Sequence, residues 1–200
     1  MSVIHIQTAG GDSLARAEKM LSGIPGGMEK AVRSAMARSV SHLRTSSVKA
    51  VRERYDIAAA DVRANENVTV RYSYHDGVQA SILFAGRKIP LHRYGGAAPK
   101  YPVPGNPNAP AFGHQLKSTS PERFHSAFVA RMPGSGHVGL FERTGGKTST
   151  GKDEIQEIMG SSVPQMLGSP EVEERLARES MEKFEDRLDH EINAFLNGWR

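Results

Sequence analysis

The residues best suited to catalysis or to metal or phosphate binding do not form a complete motif. Gly145-Gly146-Lys147-Thr148 resembles the end of a phosphate-binding loop, but the pattern requires a first glycine where this chain has Phe141. The eight histidines include no His-Glu-x-x-His or His-x-His arrangement, and no Gly-x-Ser-x-Gly elbow is present. The sequence therefore predicts no catalytic, cofactor or metal site and favours a protein that is not an enzyme.

A basic and aromatic patch is the one group of residues that suggests contact with nucleic acid. Lysine and arginine can neutralise phosphates, and interleaved tyrosines can stack on bases. No recognition motif accompanies them, so sequence-specific readout is not indicated. The basic members are Arg87, Lys88, Arg93 and Lys100, and the aromatic members are Tyr94 and Tyr101.

Length and composition predict one globular domain over residues 1–200. The chain is 38% hydrophobic and 24% charged, which is enough apolar material for a core. It contains no cysteine, which excludes disulfides and cysteine-based zinc sites and fits a reducing compartment. No segment has the ~18 apolar residues of a membrane span, and the start of the sequence lacks the pattern of a signal peptide. We therefore expect an unsecreted protein that makes no contact with a membrane.

Charge is unevenly distributed along the chain. Residues 1–150 carry 20 Lys and Arg against 10 Asp and Glu, whereas residues 151–200 carry 6 against 12. A basic body and an acidic tail favour head-to-tail contact between copies, or a body that faces a polyanion. The alternative is that the two parts neutralise each other within one molecule.

Hydrophobic periodicity places helices at both ends of the chain. The N-terminal region 12–63 is predicted to hold a helix over 12–24 and a long helix over 28–55. Residues 55–63 are predicted to form a short helix or a surface turn that covers the edge of the sheet. Ser169 and Pro170 are typical of a helix start, and apolar residues from Val172 to Trp199 recur at helical spacing. The sequence therefore predicts an amphipathic C-terminal helix over 170–198.

The middle of the chain predicts an antiparallel sheet built from hairpins, over residues 66–143. Two alternating strands flank Asp76-Gly77, and a second hairpin turns at Pro133 to Gly136. The Gly- and Pro-rich stretch 86–122 is predicted to be a long loop that orders on assembly or an irregular surface loop, with a brief strand possible over 111–117. Residues 153–168 are predicted to be a short apolar segment packed against the sheet. Together these patterns predict an α+β fold.

Three segments resemble the minor tail protein Z family of tailed bacteriophages and prophages. They are Phe128-Val-Ala-Arg-Met, Gly136-His-Val-Gly-Leu-Phe-Glu-Arg and Gly160-Ser-Ser-Val-Pro-Gln-Met. In that family a segment like the first two precedes one like the third, which has a proline where this chain has Ser161. The region 86–122 departs from the family pattern.

The resemblance implies a virion structural protein, assembled in the host cytoplasm, that completes the head-proximal end of a long tail. Proteins of this kind have an α+β fold and form rings, often of six copies, around the channel that DNA traverses without sequence readout. Their partners are further copies and the tail-tube, tail-terminator and head-connector proteins. The alternative hypothesis is a cytoplasmic, non-sequence-specific DNA-binding protein that uses the basic loop 87–101.

Two sets of candidate site residues follow. Residues facing DNA or its channel are expected to be the four basic side chains of the patch named above. Contacts between copies are expected to involve the hairpin 128–141, the segment 155–167 and one or both long helices. The candidate interface residues are Phe128, Arg131, His137, Val138, Phe141, Arg143, Val163, Pro164 and Met166.

Overall fold

The computed structural model describes residues 2–7, 11–65, 67–73, 79–95, 111–113, 115–118, 122–124 and 126–198. Its helices and antiparallel sheets confirm the α+β fold class. The chain divides into two compact units that the sequence did not indicate. Unit 1 comprises residues 1–50, 67–85 and 167–200, and unit 2 comprises residues 51–66 and 86–166.

Unit 1 combines a three-stranded antiparallel sheet with three helices. Its strands are β1 (Ser2–Gln7), β2 (Asn67–Ser73) and β3 (Gln79–Ala85), in the order β1-β3-β2. Its helices are α1 (Gly11–Leu21), most of α2 (Gly27–Arg54) and α5 (Pro170–Leu196). Strand β3 is central, because Ile82 pairs with Ile4 on one side and Val70 on the other.

The core of unit 1 is formed by apolar side chains at helical spacing and by two residues of β3. Ile82 and Phe84 are fully buried, as are Phe184 and Leu188 of α5. Because this stripe recurs every three or four residues, one face of α5 enters the core and the acidic residues remain on the other. The buried stripe of α2 consists of small and medium side chains: Ala31, Val32, Ala35, Met36, Ser39, Val40 and Leu43.

Glu191 is a charged side chain within unit 1 that is fully buried. Its Oε1 accepts a hydrogen bond from Ser34 Oγ at 2.8 Å and lies 2.7 Å from Arg187 Nη2, one turn earlier on α5. A buried carboxylate is tolerated when donors replace the lost water. The nearby Ser39 hydroxyl donates to the carbonyl of Ser180, which ties α2 to α5 at a second point.

Unit 2 is built from short strands around one three-stranded antiparallel sheet. That sheet has the order β7 (Ala127–Arg131), β8 (Val138–Lys147) and β9 (Asp153–Glu157). A second pair joins β4 (Lys88–Pro90) to β10 (Met159–Ser162), and a third joins β5 (Ala111–Gly113) to β6 (Glu122–Phe124). The helices are α3 (Ala59–Asn65), α4 (Val163–Leu167) and a 3₁₀ turn, Leu91–Arg93. Buried side chains of this unit are Ile57, Val62, Ile89, Leu91, Tyr94, Leu140, Phe141, Val163 and Met166.

Several predicted elements differ from the observed ones. The stretch 86–122 was expected to contain little regular structure apart from a brief strand within 111–117, where β5 forms. It also contains β4, the 3₁₀ turn and the start of β6, while 96–110, 114 and 119–121 lie outside the described residues. The segment 153–168 forms β9, β10 and α4, because charged and small residues there pair with β8 and β4. Strand β1 was not predicted, since its apolar alternation covers only three residues. The turn Asp76-Gly77 lies outside the described residues, although both flanking strands form as expected.

Both long helices match their predictions within two residues. Helix α2 was expected over 28–55 and α5 over 170–198, and α1, expected over 12–24, ends at Leu21. No described helix has the length and apolar character that crossing a membrane would require.

We expect Phe184→Ala to lower the free energy of unfolding by about 3–5 kcal/mol, because it removes a fully buried ring and leaves a cavity. Urea denaturation followed by helical circular dichroism measures the change. Leu196→Ala is the matched control on the same helix, because Leu196 is 49% exposed and should change stability by less than about 0.5 kcal/mol. Equal effects of the two substitutions would contradict this account of the core.

Candidate functional site

The far half of the β8–β9 hairpin is a solvent-exposed part of unit 2. All residues from Arg143 to Gln156 except Gly146 are exposed. We call residues 143–156 the ribbon. Its turn is closed by the amide of Thr148, which donates to the carbonyl of Lys152 at 2.8 Å, and Gly151 supplies a φ of +76°.

Exposed polar contacts join the two strands of the ribbon. Arg143 Nε lies 3.5 Å from Asp153 Oδ2, and the ammonium of Lys147 pairs with the same carboxylate. The Thr144 hydroxyl donates to Glu154 Oε2 at 3.1 Å. Exposed ion pairs contribute little each, ~0–1 kcal/mol, so these contacts add little to the stability of the ribbon.

Aromatic packing anchors the ribbon to the sheet. Phe128 and Phe141 are cross-strand partners whose ring centroids lie 6.3 Å apart. The guanidinium of Arg143 lies 4.8 Å from the centroid of the Phe128 ring, within the range of a cation–π contact. Phe141 is 5% exposed, so the part of the sheet next to the ribbon contributes to the buried core of unit 2.

At the base of the ribbon, two histidines converge on one carboxylate oxygen. His137 Nε2 lies 2.7 Å from Glu157 Oε1, and His92 Nδ1 lies 3.8 Å from the same oxygen. The imidazole rings meet edge to face, with centroids 5.7 Å apart. These three residues, the His–Glu cluster, join the 3₁₀ turn, the β7–β8 turn and the end of β9. Gly139 makes room for them, because a Cβ at that position would meet Glu157 Oε1.

The His–Glu cluster disfavours a charge on one of its imidazoles. Burial, chiefly, and then the neighbouring Arg93 guanidinium lower the pKa of His92 below its ordinary value, although Glu157 acts in the opposite direction. His137 also lowers this pKa, and Asp61, which lies 3.5 Å from Arg93, raises it. His92 Nδ1 is buried and has no hydrogen-bond partner among the residues that the structure describes. In the part of the chain that the structure describes, no group of three or more His, Cys, Asp or Glu side chains could hold a metal ion.

The segment 160–166, which carries part of the phage resemblance, makes a strand-to-helix corner. Ser162 precedes α4, and its amide donates to Gln165 Oε1 at 2.9 Å, which is the reciprocal bond of a capping box. Gln115 Oε1 accepts from both the amide and the hydroxyl of Ser161 at 2.8 Å. The Tyr94 hydroxyl donates to the carbonyl of Ser161 at 2.9 Å, and burial raises the pKa of Tyr94. A Cβ at Gly160 would lie 2.6 Å from the Tyr94 ring.

The candidate interface residues fall into two groups. Phe141, Val163, Pro164 and Met166 are buried, which assigns their side chains to packing inside the chain. Their apolar character was interpreted as an interface, but one sequence cannot separate core from contact surface. Arg131 and Arg143 are exposed, and Phe128, His137 and Val138 are half-buried, so these five retain accessible surface. A role for them in contacts between copies stays a prediction.

The candidate DNA-facing residues are not all on one accessible surface. Arg87 and Lys88 are exposed beside β4, and Arg93 is exposed but lies 3.5 Å from the Asp61 carboxylate. Tyr94, expected to stack on bases, is 1% exposed and points into unit 2. Lys100 and Tyr101 lie outside the described residues.

The sequence missed His92 and Glu157 of the cluster, and it missed the capping box. His92 and Glu157 are 65 positions apart, and neither belongs to a local motif. The capping box was detectable, because a serine followed three residues later by a glutamine at a helix start is its signature. Comparison with protein-family models, curated proteins and solved structures gives no match.

We expect the protein to lose stability as pH falls below about 6.5, the ordinary histidine pKa. Because the pKa of His92 is lower in the folded state, the unfolded chain takes up its proton first, and acidification favours unfolding. Urea unfolding of the wild type and His92→Asn from pH 7.5 to pH 5 measures the effect. The free energy of unfolding of the wild type should fall relative to that of His92→Asn as pH falls. A difference that stays constant with pH would contradict this role of His92.

We expect Gly139→Ala to lower the free energy of unfolding by roughly 1–3 kcal/mol, because the new methyl group collides with the Glu157 carboxylate. The displaced carboxylate should also release the His137 ring, which a change in the NMR chemical shifts of that imidazole at neutral pH would detect. Gly23→Ala is the matched control, since nothing lies within 4 Å of a Cβ there. Unchanged His137 chemical shifts in Gly139→Ala would contradict the packing described for this base.

Proposed function

We propose that this chain is a structural protein of the virion of a long-tailed phage. In this proposal it completes the head-proximal end of the tail and forms a ring around the DNA channel at the head–tail junction. It is assembled in the host cytoplasm, and its partners are further copies of itself and the tail-tube, tail-terminator and head-connector proteins. DNA passes through the ring without sequence readout.

The exposed ribbon is the observation that carries the proposal. A two-stranded ribbon is marginally stable by itself, because its ladder satisfies backbone groups but buries little apolar surface. Ile155 is 36% exposed at its outer strand and is flanked by acidic residues. Such an element adds little to the stability of a monomer and is well suited to pairing with another chain.

The charge distribution and the resemblance of segments 128–143 and 160–166 support the same proposal. The exposed face of helix α5 carries more acidic than basic residues, and the acidic ones include Glu174, Glu182, Glu185 and Asp189. The exposed face of α2 is basic, with Lys30, Arg38, Arg44 and Lys49. A ring repeats one head-to-tail contact at every step, and opposite charges on one chain favour contacts of that kind.

The alternative is a cytoplasmic protein that binds DNA without sequence preference. The exposed Arg87 and Lys88 favour it, because both can reach phosphate oxygens. The burial of Tyr94 weakens it, since that ring is not available for stacking on bases.

The ring hypothesis is tested by the mass and shape of the full-length protein, alone and with purified tail tubes. Mass photometry and electron microscopy should show a closed ring, seated at one end of the tube. A chain that remains monomeric in both conditions and never joins a tail would contradict the proposal.

The DNA-binding alternative is tested with the charge-reversal variant Arg87→Glu/Lys88→Glu. If DNA binding is the function, the monomer binds duplex DNA with a steep salt dependence, and the variant loses both the affinity and about two units of the salt slope. If the ring is the function, the variant should still join tails. Tail joining that is lost together with DNA affinity would argue against separating the two activities.

A further inference from the structure

We infer that β9 is the strand through which one copy joins the next, by pairing with the outer edge of β7 in the neighbouring copy. This inference rests on the proposed ring and names its contact. The strands β7 and β9 are the two edges of one antiparallel sheet, and among the described residues each pairs only with β8. Both strands have five residues, so the two edges match in length.

Opposite charge makes the two edges complementary. Strand β9 carries three acidic residues and no basic one: Asp153, Glu154 and Glu157. Strand β7 carries no acidic residue and ends in the exposed Arg131. Pairing of β9 with a second β9 would instead place acidic strands against each other, which costs free energy. The charges therefore favour head-to-tail contact over a two-fold dimer.

Ring geometry sets the direction of the paired strands. Strands β7 and β9 run the same way, because each is antiparallel to β8. Neighbouring copies in a ring of six are related by a rotation of about 60°, which cannot reverse a strand direction. The joint between β9 and the next β7 is therefore parallel, and it continues one sheet from copy to copy.

The pattern of sheet faces selects which side chains meet at the joint. Phe128 pairs with Phe141, Phe141 with Glu157, and Arg143 with Ile155, so these five residues share one face of the sheet. A continuous sheet keeps that face on the same side in every copy. Ile155 therefore lies beside Phe128 or Ala130 of the next copy, where its exposed apolar surface becomes covered.

The base of the ribbon fixes the position of the joining strand. Glu157, the last residue of β9, is held through Oε1 by His137 on the turn that connects β7 to β8. The same sheet thus links the donating edge to the receiving edge of each copy. A strand held at its end before contact loses less conformational freedom on pairing than a free segment would.

Thiol cross-linking tests the joint directly, because the natural chain contains no cysteine. The variants are Ile155→Cys, Ala130→Cys and the double variant, each assembled into rings on tail tubes and treated with a short bismaleimide. Only the double variant should give a ladder of covalent multimers, since a head-to-tail joint places position 155 of one copy against position 130 of another. Ile155→Cys with Met20→Cys is the matched control, because Met20 is similarly exposed on α1 and should give no ladder.

A substitution in β9 provides an independent measurement. Ile155→Asp should weaken ring formation by about tenfold or more, because it adds a charge where apolar surface is buried. Met20→Asp should leave ring formation unchanged, and equal thermal unfolding would show that both variants fold. Covalent dimers from Ile155→Cys alone, or rings of Ile155→Asp that form as readily as the wild type, would overturn the β9–β7 joint and leave the ring proposal intact. Absence of rings from every protein, including the wild type on tail tubes, would instead overturn the proposed function.

Discussion

Backbone hydrogen bonding without burial is the constraint on which unit 2 depends. Strand β8 is ten residues long, but only Gly139, Leu140 and Phe141 are buried. Beyond Glu142 the ladder with β9 continues through Arg143 with Ile155 and Lys147 with Asp153, with an irregular register between them, and almost no apolar surface accompanies it. The exposed half therefore depends on its anchored end, where Phe141 packs on Phe128 and Glu157 accepts from a histidine ring.

The segments that resemble a phage tail family form packing and hydrogen-bond contacts inside unit 2. The hairpin segment builds the aromatic anchor and the His–Glu cluster, and the segment 160–166 builds a corner between β10 and α4. In that corner Gln165 caps the helix start, Gln115 accepts from the amide and the hydroxyl of Ser161, and Tyr94 donates to the carbonyl of Ser161. Their likeness to family motifs can thus arise from shared folding requirements as well as from shared contacts.

Local patterns explain how much of the fold the sequence could predict. The stripe of α5 and the alternation of Val138 and Leu140 are local signals, and both elements form where expected. Strand β9 has one apolar residue among acidic ones, so its sequence shows no alternation of apolar and polar residues. It forms a strand because it pairs with β8. The fold class followed from short-range patterns, whereas the pairing of β4 with β10 joins segments about 70 residues apart.

The candidate site was less predictable than the fold, for a physical reason. Val163 and Met166 were interpreted as contact surface, but an apolar side chain gives the same signal whether it enters a core or a partner. His92 and Glu157 come together only because the 3₁₀ turn lies against the end of β9. Sequence periodicity gives no signal for a contact of this kind. Arg131 and Arg143 remain accessible as expected, since charged side chains on strand ends rarely enter a core.

The acidic sequence of β9 also has a consequence for chains that have not yet assembled. Exposed edge strands are templates for amyloid-like stacking, and segments with high β propensity and low charge are the most hazardous. Asp153, Glu154 and Glu157 surround the single apolar residue Ile155 and give β9 the composition of a gatekeeper. Aggregation of newly made chains through this edge is thereby opposed.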